Sequence, residues 1–421
     1  MSARNKTYTS AIILIGILFF IFGFITWANS QLIPYLKLAC ELTDTQSYLV
    51  ATAFFAAYFF MGIPSSYVLK RTGFKNGMSY GLFVMALGAL VFVPAAVTRN
   101  YGLFLTGLFV IGTGLALLQT ASNPYVTVLG PMDSAAKRIS IMGICNKAAS
   151  ILSVYILGSI TLSDADEIKA KLLTLEATEK ATVLDQLASK VILPYTIITI
   201  LLTLLGAVFL KIHLPEINEE EDVEDISKSL SKTSIWQFRH LWLGALAIFF
   251  YVGAEVISYD TFASYGETLG YKIDTARKFA SFTGYGFLVG YLLSIVAIPQ
   301  FISQQKALVF ANILSIILVA ISISTEGTVA VTSFALLGFS QAVMWPAIWP
   351  LAITGLRRFT KIGSALLIMG IVGGAILPPL YGKVAEWIQS KQLAYIIMIP
   401  CYLFILYYAV KGHKIGKKRH D

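Results

Sequence analysis

Residues 112–131 read GTGLALLQTASNPYVTVLGP, a stretch that begins as an apolar membrane span and ends as something else. Gln119 and Asn123 stand four apart, so a helix carries both amides on one face. Gly112, Gly114, Ala116, Ala121 and Ser122 offer little side-chain bulk, which lets neighbouring helices come close. Pro124 removes a backbone donor at a depth where water is scarce. Two amides and a proline are costly facing lipid and tolerable facing a bundle interior or a wet cavity. A lone intramembrane amide also serves as glue between helices. Similar polar rows on other segments favour a substrate cavity for this pair.

The rest of the chain supplies the membrane context. It has 421 residues, 57% hydrophobic and 13% charged, with a mean hydropathy of +0.73. Soluble domains are about one quarter charged, so an integral membrane protein is expected. Long unbroken apolar runs argue for helices and against a β-barrel. Twelve segments of spanning length are expected, at about 9–36, 45–70, 76–97, 101–129, 137–162, 190–213, 239–265, 276–300, 305–324, 328–355, 361–386 and 392–411. They are called spans 1 to 12 below. The fold class is therefore all-α, with twelve transmembrane helices in two six-helix bundles.

The first bundle is read as 1–213, with an external insertion at 163–190 that has helix-like patterning and mixed charge. Residues 214–238 form a charged cytoplasmic linker (NEEEDVEDISKSLSKTS within it), and 239–421 form the second bundle. The first apolar run is too long for a cleaved secretory leader and reads as span 1. Lys and Arg gather on one side, at Lys70, Arg71, Lys75, Lys137, Arg138, Arg239, Arg357, Arg358 and the tail from Lys411 to Arg419. By the positive-inside rule both termini are cytoplasmic, in a cell (inner) membrane. The formal charge of +9 fits this topology and implies no nucleic-acid partner. Cys40, Cys145 and Cys401 are scattered and form neither a ligand set nor a disulfide framework.

Two bundles joined by short loops fit the secondary transporters. Several motifs sharpen this: residues 62–77 (GIPSSYVLKRTGFKNG), 119–131 (QTASNPYVTVLGP), 28–34 (ANSQLIP), 137–146 (KRISIMGICN), 251–255 (YVGAE) and 344–353 (MWPAIWPLAI). With them the chain resembles the major facilitator superfamily, and within it the fucose–galactose–glucose symporter family. YVGAE and the glutamine of span 4 look more like the glucose/galactose branch. The resemblance implies the major facilitator fold, a hexose substrate and cation symport by alternating access. In fucose-type members an aspartate implicated in proton coupling stands where this chain has Ser30, and a glutamate where it has Gln119. Both carboxylates are absent here, so the usual protonation scheme does not carry over.

Asn29 and Gln31 interrupt span 1; Gln31 also suits a helix end near the outer surface. Sugar hydroxyls need paired donors and acceptors, which amides supply. Span 5 carries Asn146 and Lys147, about ten residues (roughly 15 Å) from its start, too deep for snorkelling. Lys147 is read either as half of a fixed ion pair or as an amine that takes up and releases a proton. Span 7 presents Tyr251, Glu255 and Tyr259 at spacings of four, and only Glu255 and Asp260 among the acids lie well within spans. Glu255 is the leading carboxylate for coupling. Span 10 repeats the spacing with Gln341, Trp345 and Trp349, where indole can stack on an apolar sugar face. Residues 370–379 (GIVGGAILPP) read as a close-packing segment that flexes during gating.

The expected sugar site is thus Asn29, Gln119, Asn123, Asn146, Gln341, Trp345 and Trp349, with Gln119, Asn123, Asn146 and Gln341 lining a central cavity. Lys147, Glu255 and Ser30 are the expected coupling residues. No metalloprotease, nucleophile-elbow, P-loop or dinucleotide motif occurs in context, and the histidines lie at membrane edges or in the tail, so no enzyme, cofactor or metal is expected. The expected partners are a small-molecule sugar, a coupling cation and the lipid bilayer, with the protein a monomer. Protons are favoured, with Na⁺ coupling and N-acetylglucosamine as a substrate kept open. A sugar-binding sensor that moves nothing is the alternative class, and a drug exporter with a more uniformly apolar cavity the other transport reading.

Overall fold

The computed structural model describes residues 3–129, 135–212, 234–298, 300–356 and 359–416. Of the expected linker, residues 214–233 lie outside the described residues, as do Arg357 and Arg358. The described residues are helical, with no strand among them. Among them, eleven stretches are long and apolar enough to cross a membrane: Ala11–Ala39, Asp44–Val97, Tyr101–Val126, Lys137–Lys171, Ala177–Lys211, Arg239–Asp260, Ile273–Ala297, Gln304–Ser324, Gly327–Ile353, Ile362–Ile388 and Leu393–Lys414.

One stretch holds two crossings. Asp44–Val97 has 54 residues, which at the helical rise is about 80 Å, more than twice the ~30 Å hydrocarbon core. The turn between crossings is at Gly73, with φ 73° and ψ 172°, a region open essentially to glycine alone. Counting spans 2 and 3 separately gives twelve crossings, which bring the chain back to the end where it began.

Small residues set the spacing inside the first bundle. A Cβ placed on Gly81 would come within 2.7 Å of the Gly114 carbonyl, and one on Gly114 within 2.4 Å of the Gly81 carbonyl. Spans 3 and 4 therefore meet backbone to backbone, and no larger residue fits either position. Gly112 lies equally close to span 2, 2.2 Å from the Phe54 carbonyl by the same measure. The insertion after span 5 forms two short helices, Ala165–Lys171 and Ala177–Ser189.

At the end opposite the termini, called distal here, polar contacts tie the two bundles together. Asp44 accepts from Lys391 at 3.4 Å and from Lys37 at 2.5 Å, and Thr45 donates to Glu386. The carboxylate of Asp166 caps a helix of the other bundle, accepting from the backbone N–H of Ile273 (3.1 Å) and Asp274 (3.3 Å). Thr52 donates to the Ala375 carbonyl at 2.8 Å, and the Gln31 amide to the Arg277 carbonyl at 3.2 Å. The distal end is closed.

Candidate functional site

Below that closure lies a cavity between the bundles. Its volume is ≈ 100 Å³, a narrow space below the roughly 300–1,000 Å³ usual for small-molecule sites. Spans 1, 2, 4 and 5 line it from one side and spans 7, 8, 10 and 11 from the other. Each lining span thus has a counterpart six crossings later, as expected of two halves related by repetition.

Gln119, Asn123, Asn146, Lys147, Glu255 and Trp345 all border this cavity. Gln119 donates to the Tyr58 hydroxyl at 2.9 Å, and Asn146 accepts from the Trp27 indole at 3.0 Å. These second groups fix each amide's orientation while leaving it other donors and acceptors for a ligand. Tyr58, Trp27, Tyr251 and Tyr291 complete an aromatic wall. Tyr58 and Tyr291 sit in apolar runs and gave no sign in the sequence.

Four expected site residues are not among the lining side chains. Gln341 is wholly buried within the second bundle, where it donates to Tyr402 (2.7 Å) and accepts from Ser258 (3.0 Å). The row Gln341, Trp345, Trp349 presumed one continuous helix, yet Leu337–Gln341 and Met344–Ile353 are separate helices. Pro346 lacks the N–H that would bond back to Ala342, and Gln341, one turn along from Trp345, has its amide taken up by Ser258 and Tyr402. Trp349 is buried behind Trp345, the rings 5.5 Å apart. Span 1 is interrupted at Ala28, between Ala3–Trp27 and Asn29–Ala39, with Ala28 itself in a helical conformation (φ −57°, ψ −27°). Asn29 and Ser30 are buried beyond that break, and the Ser30 hydroxyl donates to the Trp27 carbonyl at 2.8 Å.

Lys147 and Glu255 touch. The ammonium Nζ lies 2.6 Å from Glu255 Oε1, joining span 5 of one bundle to span 7 of the other. Lys147 is 2% exposed, and its hydration shell is replaced by rings: Trp27 at 3.4 Å, Phe287 at 4.0 Å and Tyr259 at 4.7 Å from Nζ to the centroid. Ring faces attract a cation electrostatically, and the carboxylate supplies the counter-charge. Tyr259 is fixed in turn by a 2.9 Å hydrogen bond to Ser150. Glu255 borders the cavity, so a ligand there lies beside an ion pair that joins the two bundles.

The sequence matches the Major Facilitator Superfamily over residues 15–378. A protein of Brucella abortus named glucose/galactose transporter is 37% identical over 98% of this chain and 96% of its own length. The chain belongs to the Major Facilitator Superfamily. The L-fucose-proton symporter of Escherichia coli is 30% identical over 97% of this chain and 94% of that protein. Among solved structures, a Major Facilitator Superfamily transporter, FucP, in the outward conformation, superposes with a TM-score of 0.77 at 29% identity, covering 98% of this chain and all of that one. The two-bundle, twelve-span fold read from the sequence is the fold of this superfamily, and the relatives are named as transporters rather than enzymes.

Proposed function

We propose that the protein imports a hexose of the glucose/galactose type together with a cation, the proton favoured. The observation that carries this is the cavity itself. Gln119, Asn123 and Asn146 offer amides for hydroxyls and Trp345 a ring for an apolar sugar face, beside a charged pair spanning both bundles. A cavity for apolar drugs needs neither the amides nor the charges. The names of the Brucella and Escherichia relatives support a sugar substrate, and the latter a proton.

In this reading Gln119, Asn123, Asn146 and Trp345 bind sugar, and Asn29, Gln341 and Trp349 support the wall from behind. Lys147 and Glu255 couple the cation. Sodium needs several oxygen ligands, whereas Glu255 is engaged by Lys147 and the Ser30 oxygen accepts from the Gln31 amide, which favours the proton. The distal end faces outward and both termini face the cytoplasm. Residues 1–213 and 239–421 rock against one another, with 214–238 as the tether.

Counterflow in proteoliposomes with labelled glucose and galactose tests this reading and separates a transporter from a sensor. Gln119→Ala, with one hydrogen-bonding group removed from the cavity, is expected to weaken apparent sugar affinity about tenfold, roughly 1.4 kcal/mol, in a folded protein. Unchanged affinity in the folded variant removes Gln119 from the site.

A further inference from the structure

Span 7 carries a second acid that the coupling pair does not use. Asp260 is 2% exposed, and neither carboxylate oxygen has a hydrogen-bond partner among the described residues. It is the last residue of the helix Arg239–Asp260 and stands two residues before the next helix, Phe262–Thr268. The charged groups within electrostatic reach are Lys147 and Glu255. The phenols of Tyr48 and Tyr259 also lie within electrostatic reach of it. Tyr48 and Lys147 come from the first bundle and Asp260 from the second, so Asp260 is shut in by the distal closure.

The charge count decides its state. One ammonium and two carboxylates lie within electrostatic reach of one another, and Lys147 is already 2.6 Å from Glu255. An ionised Asp260 would leave a net negative charge buried with no hydrogen bond, which is far costlier than burying the neutral acid.

We propose that Asp260 is the proton-binding site of the transport cycle, an assignment that rests on the proton-coupled reading above. With the distal end open, Asp260 meets external water and takes up one proton. The neutral acid allows the bundles to close over it, whereas the carboxylate resists closure. Once the distal end is shut, the proton leaves towards the cavity by way of the Lys147–Glu255 pair. The resulting carboxylate competes with Glu255 for Lys147 and drives the distal end open again. Because Asp260 is the one acid that takes up and releases a proton in this cycle, one proton moves per sugar.

The test uses proteoliposomes with labelled glucose or galactose and a pH-sensitive dye. Wild type is expected to show sugar-evoked proton influx. Asp260→Asn is expected to lose proton influx and concentrative uptake while keeping counterflow, and Asp260→Glu to regain both. Asp260→Asn that still concentrates sugar on a proton gradient overturns the assignment alone. Wild type without sugar-evoked proton influx overturns the proton-coupled reading itself. A third measurement needs no variant: a lipid-soluble carbodiimide, which modifies protonated carboxyls, should label Asp260 in preference to the paired Glu255. Absence of label at Asp260 counts against the proposal.

Discussion

Replacing Lys147 with methionine, or Glu255 with glutamine, is expected to abolish gradient-driven accumulation while sugar counterflow persists. Exchange needs only a cavity that alternates between faces, whereas accumulation needs a group whose charge state changes between the loaded and empty forms. Among the described residues the pair is the ion pair that links the bundles at the cavity. The two variants should also differ in stability. Breaking a buried pair leaves an uncompensated charge and costs about 3–5 kcal/mol. Lys147→Met leaves Glu255 at the cavity, where water or a proton relieves it, and the thioether fits among Trp27, Phe287 and Tyr259. Glu255→Gln leaves the ammonium among three rings without its carboxylate, so it is expected to be the less stable. The double variant should melt above Glu255→Gln alone. Proton-dependent, concentrative uptake in both single variants would sink the coupling assignment.

Gly158→Val is expected to hold the distal end open and to slow net uptake to near background. A Cβ at Gly158 would come within 2.4 Å of Gln31 Oε1 and 2.5 Å of Arg277 Nη1. Both side chains are buried in the distal closure, where Gln31 reaches the Arg277 carbonyl across the bundle interface and Arg277 is tied to Asp274. A branched side chain displaces both tips at once and separates span 1 from the start of span 8. Alanine pushes only on two flexible ends and should be milder. Thr45→Cys with Glu386→Cys reports closure, because these residues meet across the bundles. Cross-linking of that pair should fall sharply when Gly158→Val is added. Unchanged cross-linking and unchanged uptake would show that Gly158 does not govern closure.

The fold was legible because lipid imposes a simple rule: each crossing needs a long apolar helix, and those runs stand out in the chain. The polar face of span 4 was legible for the same reason. Gln119 and Asn123 sit on an unbroken stretch of Tyr101–Val128, so their spacing of four places them together in space. Gln341 and Asn29 do not border the cavity, and no spacing in the sequence says how far along a span the cavity extends before the bundles pack together. Tyr58 and Tyr291 were invisible, since one tyrosine in an apolar run looks like packing. That Lys147 meets Glu255 depends on how two bundles dock, 108 residues apart in sequence, and no local pattern encodes it.

The most direct test of the whole account is uptake of labelled glucose or galactose by reconstituted wild-type protein under an imposed gradient. Three conditions are compared: a pH gradient acid outside, a sodium gradient at symmetrical pH, and no gradient. The account predicts concentrative uptake with the pH gradient, collapse of that uptake by a protonophore, and only equilibration in the other two. Concentrative uptake on the sodium gradient alone, indifferent to the protonophore, would contradict it.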